Sequence, residues 1–334
     1  DVWVGRVREL SLFDDIKSGV LAVTGIGGQG KSALVAKVLE TYRRENSTDF
    51  WDWRDCREQA NRFRTQLISV IEHYSQGEIT PSMLGDADMS WLAKYFFRNV
   101  GESRGLLVFD NVDHYVDVES SQFTSDVSTF VEEGLRVSHK FLIVYTCRPR
   151  TSYASVRFRE VYLKGLEPAE TRELFNLKLP GGLKSEQESH VRRFHKVTNG
   201  HPLWLNIIAS QIGRKPDSVY GILKNLEAGD IDDRTNAMLR GVWAGLNADQ
   251  QTILRYMAEL PRAMVGERIM ECIGSGISSR NRFDRAFRAL KAISLLIEKG
   301  AGGIVPNKFE LHPIVRAFVR REYRDEAQRQ EVIA

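Results

Sequence analysis

The apolar run Val20-Leu-Ala-Val-Thr24 leads directly into Gly25-Ile-Gly-Gly-Gln-Gly-Lys-Ser32, and a helical pattern over 31–45 follows. Few features constrain a fold as tightly as a strand, a glycine-rich turn and a helix in that order. The octet fits G-x-x-x-x-G-K-[ST] at every fixed position. Gly25, Gly27, Gly28 and Gly30 allow successive backbone N–H groups to turn inward where side chains would block a polyphosphate. The helix that starts near Lys31 adds its positive dipole end. In this setting Lys31 reaches the β- and γ-phosphates and Ser32 offers its hydroxyl to Mg²⁺, with Gln29 and Ala33 completing the nucleotide-facing backbone. A glycine-rich turn with an incidental lysine would require neither the strand before it nor the helix after it.

Such a loop needs an acid at the end of a neighbouring buried strand, and Leu106-Leu-Val-Phe-Asp110-Asn-Val-Asp113 supplies one. Asp110 leaves the strand where it could hold the metal through water. The next residue is Asn111, where a hydrolase often places a second carboxylate to activate water. An amide cannot accept a proton at neutral pH, so slow turnover is expected. Asp113 could take that role from further along, at a less favourable spacing. A third apolar run ends in Thr146-Cys-Arg148-Pro-Arg150, and an arginine there could reach the γ-phosphate. On position alone it would equally be a solvated loop residue.

The amino-terminal half alternates strand patterns at 21–24, 50–54, 106–110, 141–146 and 161–163 with helical ones at 31–45, 58–74, 91–100 and 124–137. Apolar strands alternating with helices predict a parallel sheet covered on both faces. After Gly165-Leu-Glu-Pro168 the strand pattern stops, and helices are expected at 169–177, 185–198, 202–212 and 217–226. Further helices at 248–259 and 281–293 precede a glycine-bearing reversal over 299–303 with β-like flanks, then a last helix. That order is the order of a winged-helix domain. The expected fold is therefore an α/β P-loop domain over 1–165, a helical domain over 166–240 and a winged-helix domain over 241–334.

Together these pieces resemble a STAND-class ATPase of the NB-ARC type, the nucleotide switch of apoptosome proteins, plant resistance proteins and bacterial antiphage sensors. The resemblance runs through Val4-Gly5-Arg6, the octet, Phe50-Trp-Asp-Trp53, Leu106–Asp113, Thr146-Cys-Arg148, Gly200-His-Pro202 and Leu311-His312-Pro313. It implies that Val4, Gly5 and Arg6 lie beside the adenine and ribose and that Arg148 senses the γ-phosphate. It also implies that Pro202 packs on the adenine and that His312 contacts the β-phosphate of ADP at rest. The catalytic set would be Lys31, Asp110, Asp113 and Arg148, with Ser32 and Asp110 at Mg²⁺. The implied mechanism is a clamp closed with ADP that opens with ATP to self-associate as a homo-oligomer, in immune or antiphage defence. Two positions depart from the pattern: Asn111 replaces the usual second acid, and Pro313 stands where many members have Asp.

Other readings bear on the same residues. Arg280, Arg282, Arg285, Arg288 and Lys291 make a basic helix at about the place where a winged helix enters a DNA groove, as in a DNA-binding P-loop ATPase. Phe283, Phe287 and Leu290 form a core-packing stripe on it, and the basic residues are read as a solvated face. A metabolic ATPase or kinase would need an acceptor pocket and a catalytic base that the sequence does not offer. Phe50–Trp53, Trp91–Phe97 and Met264–Met270 read as core or inter-domain packing.

A net charge of +3 does not by itself argue for nucleic acid. Cys56, Cys147 and Cys272 form neither a metal pattern nor a disulfide framework, which suits a reducing, cytoplasmic setting. No apolar stretch approaches the roughly 20 residues that span a bilayer. The abrupt start at Asp1-Val-Trp-Val is expected of a piece of a longer protein, with effector and sensor domains outside it.

Overall fold

The computed structural model describes residues 3–16, 18–45, 48–56, 63–214, 231–260, 262–277, 279–293, 295–299 and 307–323. The chain divides into two compact units, one formed by Arg6–Lys164 and the other by Asp1–Gly5 with Gly165–Ala334.

In the first unit, strands β1 (Gly19–Thr24), β3 (Arg104–Asp110) and β6 (Lys140–Cys147) are apolar at nearly every position and almost wholly buried. Strands that bury both faces belong in the middle of a parallel sheet. They occupy the middle here: the order is β2 (Phe50–Asp55), β3, β6, β1, β7 (Phe158–Tyr162), with every pairing parallel. The edge strands β2 and β7 are more exposed, with one buried position in β2 and two in β7. A short hairpin, β4 (Val116–Asp117) with β5 (Gln122–Phe123), follows β3.

Helices α1 (Val7–Asp15), α2 (Lys31–Arg44), α3 (Phe63–Tyr74), α4 (Met89–Val100) and α5 (Ser125–Arg136) connect or cover these strands. Helix α4 illustrates why these segments are helical. The Asp88 carboxylate accepts from Trp91 N at 2.7 Å and caps its start. Met89, Leu92, Ala93, Phe96, Phe97 and Val100 then fall on one buried face at helical spacing. Phe96 and Phe97 pack on Phe130 of α5, with ring centroids 5.5 and 4.9 Å apart. Each such ring buried contributes about 1.5–3 kcal/mol.

The second unit is mainly helical. Helices α6 (Pro168–Lys178), α7 (Glu188–Thr198), α8 (Pro202–Arg214) and α9 (Ile231–Ala244) precede α10 (Ala248–Glu259), α11 (Gly266–Ile273) and α12 (Arg280–Ala292). Strand β10 (Lys308–Leu311) pairs antiparallel with both β9 (Leu296–Lys299) and the short β8 (Met264–Val265), and α13 (Pro313–Glu322) closes the described chain. Three helices and a β-hairpin on a small sheet make the winged-helix arrangement. One apolar cluster runs through the unit from Leu174 and Phe194 to Leu290 and Phe318.

Observed elements differ from the sequence reading in particular ways. The helix expected at 217–226, the first residues (58–62) of the helix expected at 58–74, and residues 300–303 of the expected reversal lie outside the described residues. Helices α1, α9 and α11 escaped the pattern reading; in α9, for example, Ile231-Asp-Asp-Arg carries too few apolar residues to mark a start. The aromatic runs are only partly core. Trp51 is 37% exposed with the Arg43 guanidinium 5.1 Å over its ring, and Trp91 is 47% exposed, stacked on Tyr95 at 4.8 Å. Trp51 lies on the edge strand β2, and Trp91 faces away from the apolar stripe of α4. Met264 and Met270 pack against the core of the second unit as half-buried residues.

Candidate functional site

At the carboxyl end of β1 the chain turns sharply. Gly25 adopts a φ of 141°, and a side chain there would bring Cβ within 2.8 Å of the Leu163 carbonyl oxygen. Gly30, with φ of 89°, is the residue before α2, and an added Cβ there would meet no atom within 4 Å. The loop is thus closed beneath Gly25 and open above Gly30, as a cradle for a large anion requires. Gly27 and Gly28 are half-buried between them, Gln29 is buried, and Ala33 is exposed in the first turn of α2.

Arg6 holds this loop from below. Its Nη2 donates to the Gln29 carbonyl at 3.1 Å and the Lys164 carbonyl at 2.8 Å, and its Nη1 pairs with Glu9 at 2.9 Å. The residue itself is buried in left-handed backbone, with φ of 63°. The guanidinium therefore ties the Gln29 carbonyl of the loop to the Lys164 carbonyl.

Lys31 Nζ donates to the Gly25 carbonyl at 2.7 Å and the Ile26 carbonyl at 3.1 Å, folding back over the loop. Burial pushes its ammonium below the ordinary lysine value. The Asp113 carboxylate opposes that shift and the Arg148 guanidinium adds to it. These three charges share one neighbourhood. Asp113 is tied to the end of β6: its Oδ1 accepts from Arg148 N at 2.5 Å, and its Oδ2 lies 3.5 Å from Arg148 Nε.

Asp110 is 3% exposed at the end of β3. Its Oδ1 accepts from Ser32 Oγ at 2.8 Å and from Thr146 Oγ1, and its Oδ2 accepts from Asn111 Nδ2 at 3.1 Å. Ser32 and Asp110 offer hard oxygen donors side by side, the donor chemistry that Mg²⁺ takes. The residues present therefore fit a polyphosphate with its cation. Ser32 and Asp110 would hold the metal, which when bound neutralises developing phosphate charge.

Two residues here were not singled out by sequence reading. Thr146 Oγ1 donates to Asp110 while accepting from Asn111 N at 3.0 Å, so it locks the two strand ends together. Glu160 on β7 accepts from Thr24 Oγ1 at 2.6 Å, immediately before the loop, and is clamped by Arg150 at 2.6 Å. Thr146 gave only its place near a strand end, and Glu160, in the middle of β7, gave no signal.

The remaining candidates belong to the second unit. Val4 is buried in its core, and a Cβ on Gly5 would overlap the Glu170 carboxylate. Pro202 is the first residue of α8, after a turn in which Asn199 and Gly200 are both left-handed. His312 precedes α13, where its Nδ1 accepts from Ile314 N at 3.3 Å. The structure thus gathers Arg6, the octet, Asp110, Asp113 and Arg148 in one unit. The chain crosses to the other unit between Gly5 and Arg6 and again between Lys164 and Gly165.

No protein-family profile matches this chain, and no curated protein matches it. Solved structures are similar to it. A Signal Transduction ATPase with Numerous Domains (STAND) protein with a tetratricopeptide repeat sensor, from Pyrococcus horikoshii, is 22% identical with a TM-score of 0.65, the match covering 99% of this chain and 44% of that one. The chain thus spans less than half the length of that protein. Drosophila ORC bound to DNA is 15% identical with a TM-score of 0.48, over 96% of this chain and 87% of that one. Aeropyrum pernix ORC2 is 14% identical with a TM-score of 0.45, over 96% and 95%. The first likeness is one of fold: a P-loop ATPase sheet followed by a helical carboxyl-terminal region.

Proposed function

We propose that this chain is a nucleotide-operated switch that binds ATP and ADP with Mg²⁺ on the 25–32 loop and hydrolyses ATP slowly. The observation that carries the reading is the hydrogen bond from Ser32 Oγ to Asp110 Oδ1, 2.8 Å long between residues 78 apart in sequence. A loop hydroxyl and a strand-end carboxylate meet at one point, beside a lysine that shares its surroundings with Asp113 and Arg148. Slow hydrolysis follows from Asn111, whose amide cannot take a proton from water.

Resemblance supports the finer assignments. In this reading residues 1–165 form the nucleotide domain, 166–240 the helical domain and 241–334 the winged helix. Arg148 reports the γ-phosphate, Pro202 packs on the adenine, and His312 meets the β-phosphate of ADP. ADP favours a closed form and ATP an open, self-associating one, to the extent that each nucleotide binds the two forms with different affinity. The setting is cytoplasmic immune or antiphage defence, with effector and sensor domains elsewhere in a longer protein. Among the described residues, no helix is long and apolar enough to cross a membrane.

A DNA-binding ATPase is the less favoured reading. On α12, Arg280 pairs with Glu267 at 3.1 Å, Arg282 with Asp249 at 2.5 Å and Lys291 with Glu298 at 2.9 Å. Basic residues already matched by carboxylates offer phosphates less charge.

Denaturing the purified protein and identifying released nucleotide by chromatography, beside an ATPase time course, tests the proposal. Stoichiometric ADP with near-background turnover is expected, with that ADP lost in Lys31→Ala. Brisk multiple turnover without retained nucleotide would overturn the switch.

A further inference from the structure

We infer that Asp55, on the strand next to Asp110, is the carboxylate that accepts the proton of the attacking water, because Asn111 cannot; the inference rests on the nucleotide site proposed above. Asp55 ends β2 and lies in register with Asp110 at the end of β3. The strands stay joined one residue further, where Cys56 N donates to the Asp110 carbonyl at 2.8 Å. Asn111 spans the two acids. Its Nδ2 donates to Asp55 Oδ1 and to Asp110 Oδ2, both at 3.1 Å.

An amide with both hydrogens committed in this way keeps two carboxylates close without protonating either. It does so from left-handed backbone, φ of 63°, a conformation uncommon for a residue other than glycine and one that Asn tolerates better than most. The two acids have different tasks available to them. Asp110 is nearly fully buried and bonded to Ser32 and Thr146, which suits a metal-side carboxylate. Asp55 is only half-buried, so water can reach it.

The other candidate acid is Asp113, and it is engaged by the backbone N–H and guanidinium of Arg148. Both of its carboxylate oxygens are thereby already occupied at the end of β6. The amide follows Asp110 on β3, and the acid stands at the end of β2.

In the step assigned to it, the oxygen of water attacks the γ-phosphorus while one of its protons passes to Asp55, directly or through one intervening water. The bond between the γ-phosphorus and the β–γ bridging oxygen breaks, and ADP leaves with the electron pair. Inorganic phosphate forms, and Asp55 later returns the proton to solvent. Placing the acid one strand away lengthens the proton path, in keeping with slow turnover.

The test measures Mg²⁺-dependent ATP turnover and nucleotide affinity for the wild-type chain, Asp55→Asn and the exchanged pair Asp55→Asn/Asn111→Asp. Asp55→Asn is expected to lower kcat about a hundredfold or more, in the roughly 10²–10⁴-fold range typical of a general base, with nucleotide affinity within threefold of wild type. The acid limb of the wild-type pH–kcat profile should vanish in that variant. The exchanged pair rebuilds the hydrogen bond with its roles reversed and serves as the folded control, with turnover at or above wild type. The inference is overturned by Asp55→Asn turning over within twofold of wild type. An exchanged pair that binds nucleotide but stays inactive, or wild-type binding with no turnover at all, overturns it too. Failure of the wild type to bind nucleotide would instead overturn the site on which it rests.

Discussion

Lys31 combines two properties that make it a usable probe. Its ammonium is satisfied by two loop carbonyls, yet burial holds its pKa below the ordinary lysine value. A polyphosphate would replace neutral carbonyls with negative charge and raise that pKa. The sign follows directly: the bound form holds the proton more tightly than the free form. Nucleotide affinity should therefore fall as pH rises through the free-state value of Lys31, with proton uptake on binding across that range. Calorimetry in buffers of different ionisation enthalpy measures this uptake. Uptake unchanged in Lys31→Met would assign the proton to another group. The sequence identified this lysine and its loop because the spacing itself carries the chemistry. It could not identify Asp55, which belongs to no motif, and it gave Thr146 no role of its own, since both act through partners on other strands.

At the level of elements, the sheet is held by devices away from the edge that carries the glycine loop. His139, buried at the start of β6, sets its Nε2 2.9 Å from the Gly134 carbonyl of α5, while its Nδ1 accepts from Phe141 N at 3.2 Å. The Nε2–H tautomer satisfies both bonds, and the ring stacks on Phe97 at 4.9 Å. Burial, then the nearby Arg157, lowers its pKa from 6.5 to about 4. The folded state therefore binds fewer protons than the unfolded state between those values. Stability should be full above about pH 6.5 and fall by about 3 kcal/mol as pH drops towards 4. Urea titrations of the wild type and His139→Gln between pH 7 and 4.5 check this; the variant should start less stable but lose less over that range. A variant with the same pH slope as wild type would show that His139 does not set it. The strands of this sheet were legible from apolar runs. Helices α1, α9 and α11 were not: α1 buries Phe13 and α11 buries Ile269 and Ile273, too few apolar positions to show a helical period.

At the scale of the molecule, the nucleotide reading has a thermodynamic consequence. A ligand bound only by the folded protein at a hundred times its Kd stabilises by about 2.7 kcal/mol. For a unit the size of Arg6–Lys164 that corresponds to a rise in Tm of about 5–10 °C. Scanning calorimetry with and without ADP and Mg²⁺ should show this rise, and Lys31→Ala should lose it. No shift in the wild type would count against the loop as a nucleotide site. The glycine octet among alternating strands and helices, then helices ending in a glycine-bearing reversal with β-like flanks, was enough to read a P-loop domain followed by a helical region with a winged helix.

What the sequence determined by itself was local: a strand, a glycine turn and a helix whose residue types and spacing leave little else to form, and apolar runs that must be buried on both faces. The tertiary structure alone decided which strand ends lie side by side. Strand order follows from how the helices cover the sheet, and no residue records it in its neighbours along the chain. That order places Asp55 against Asp110, stations Thr146 between Asp110 and Asn111, and sets Glu160 against Thr24. Parallel strands carry their neighbours' ends to one edge of the sheet, and chemistry assembled there comes from segments far apart in sequence.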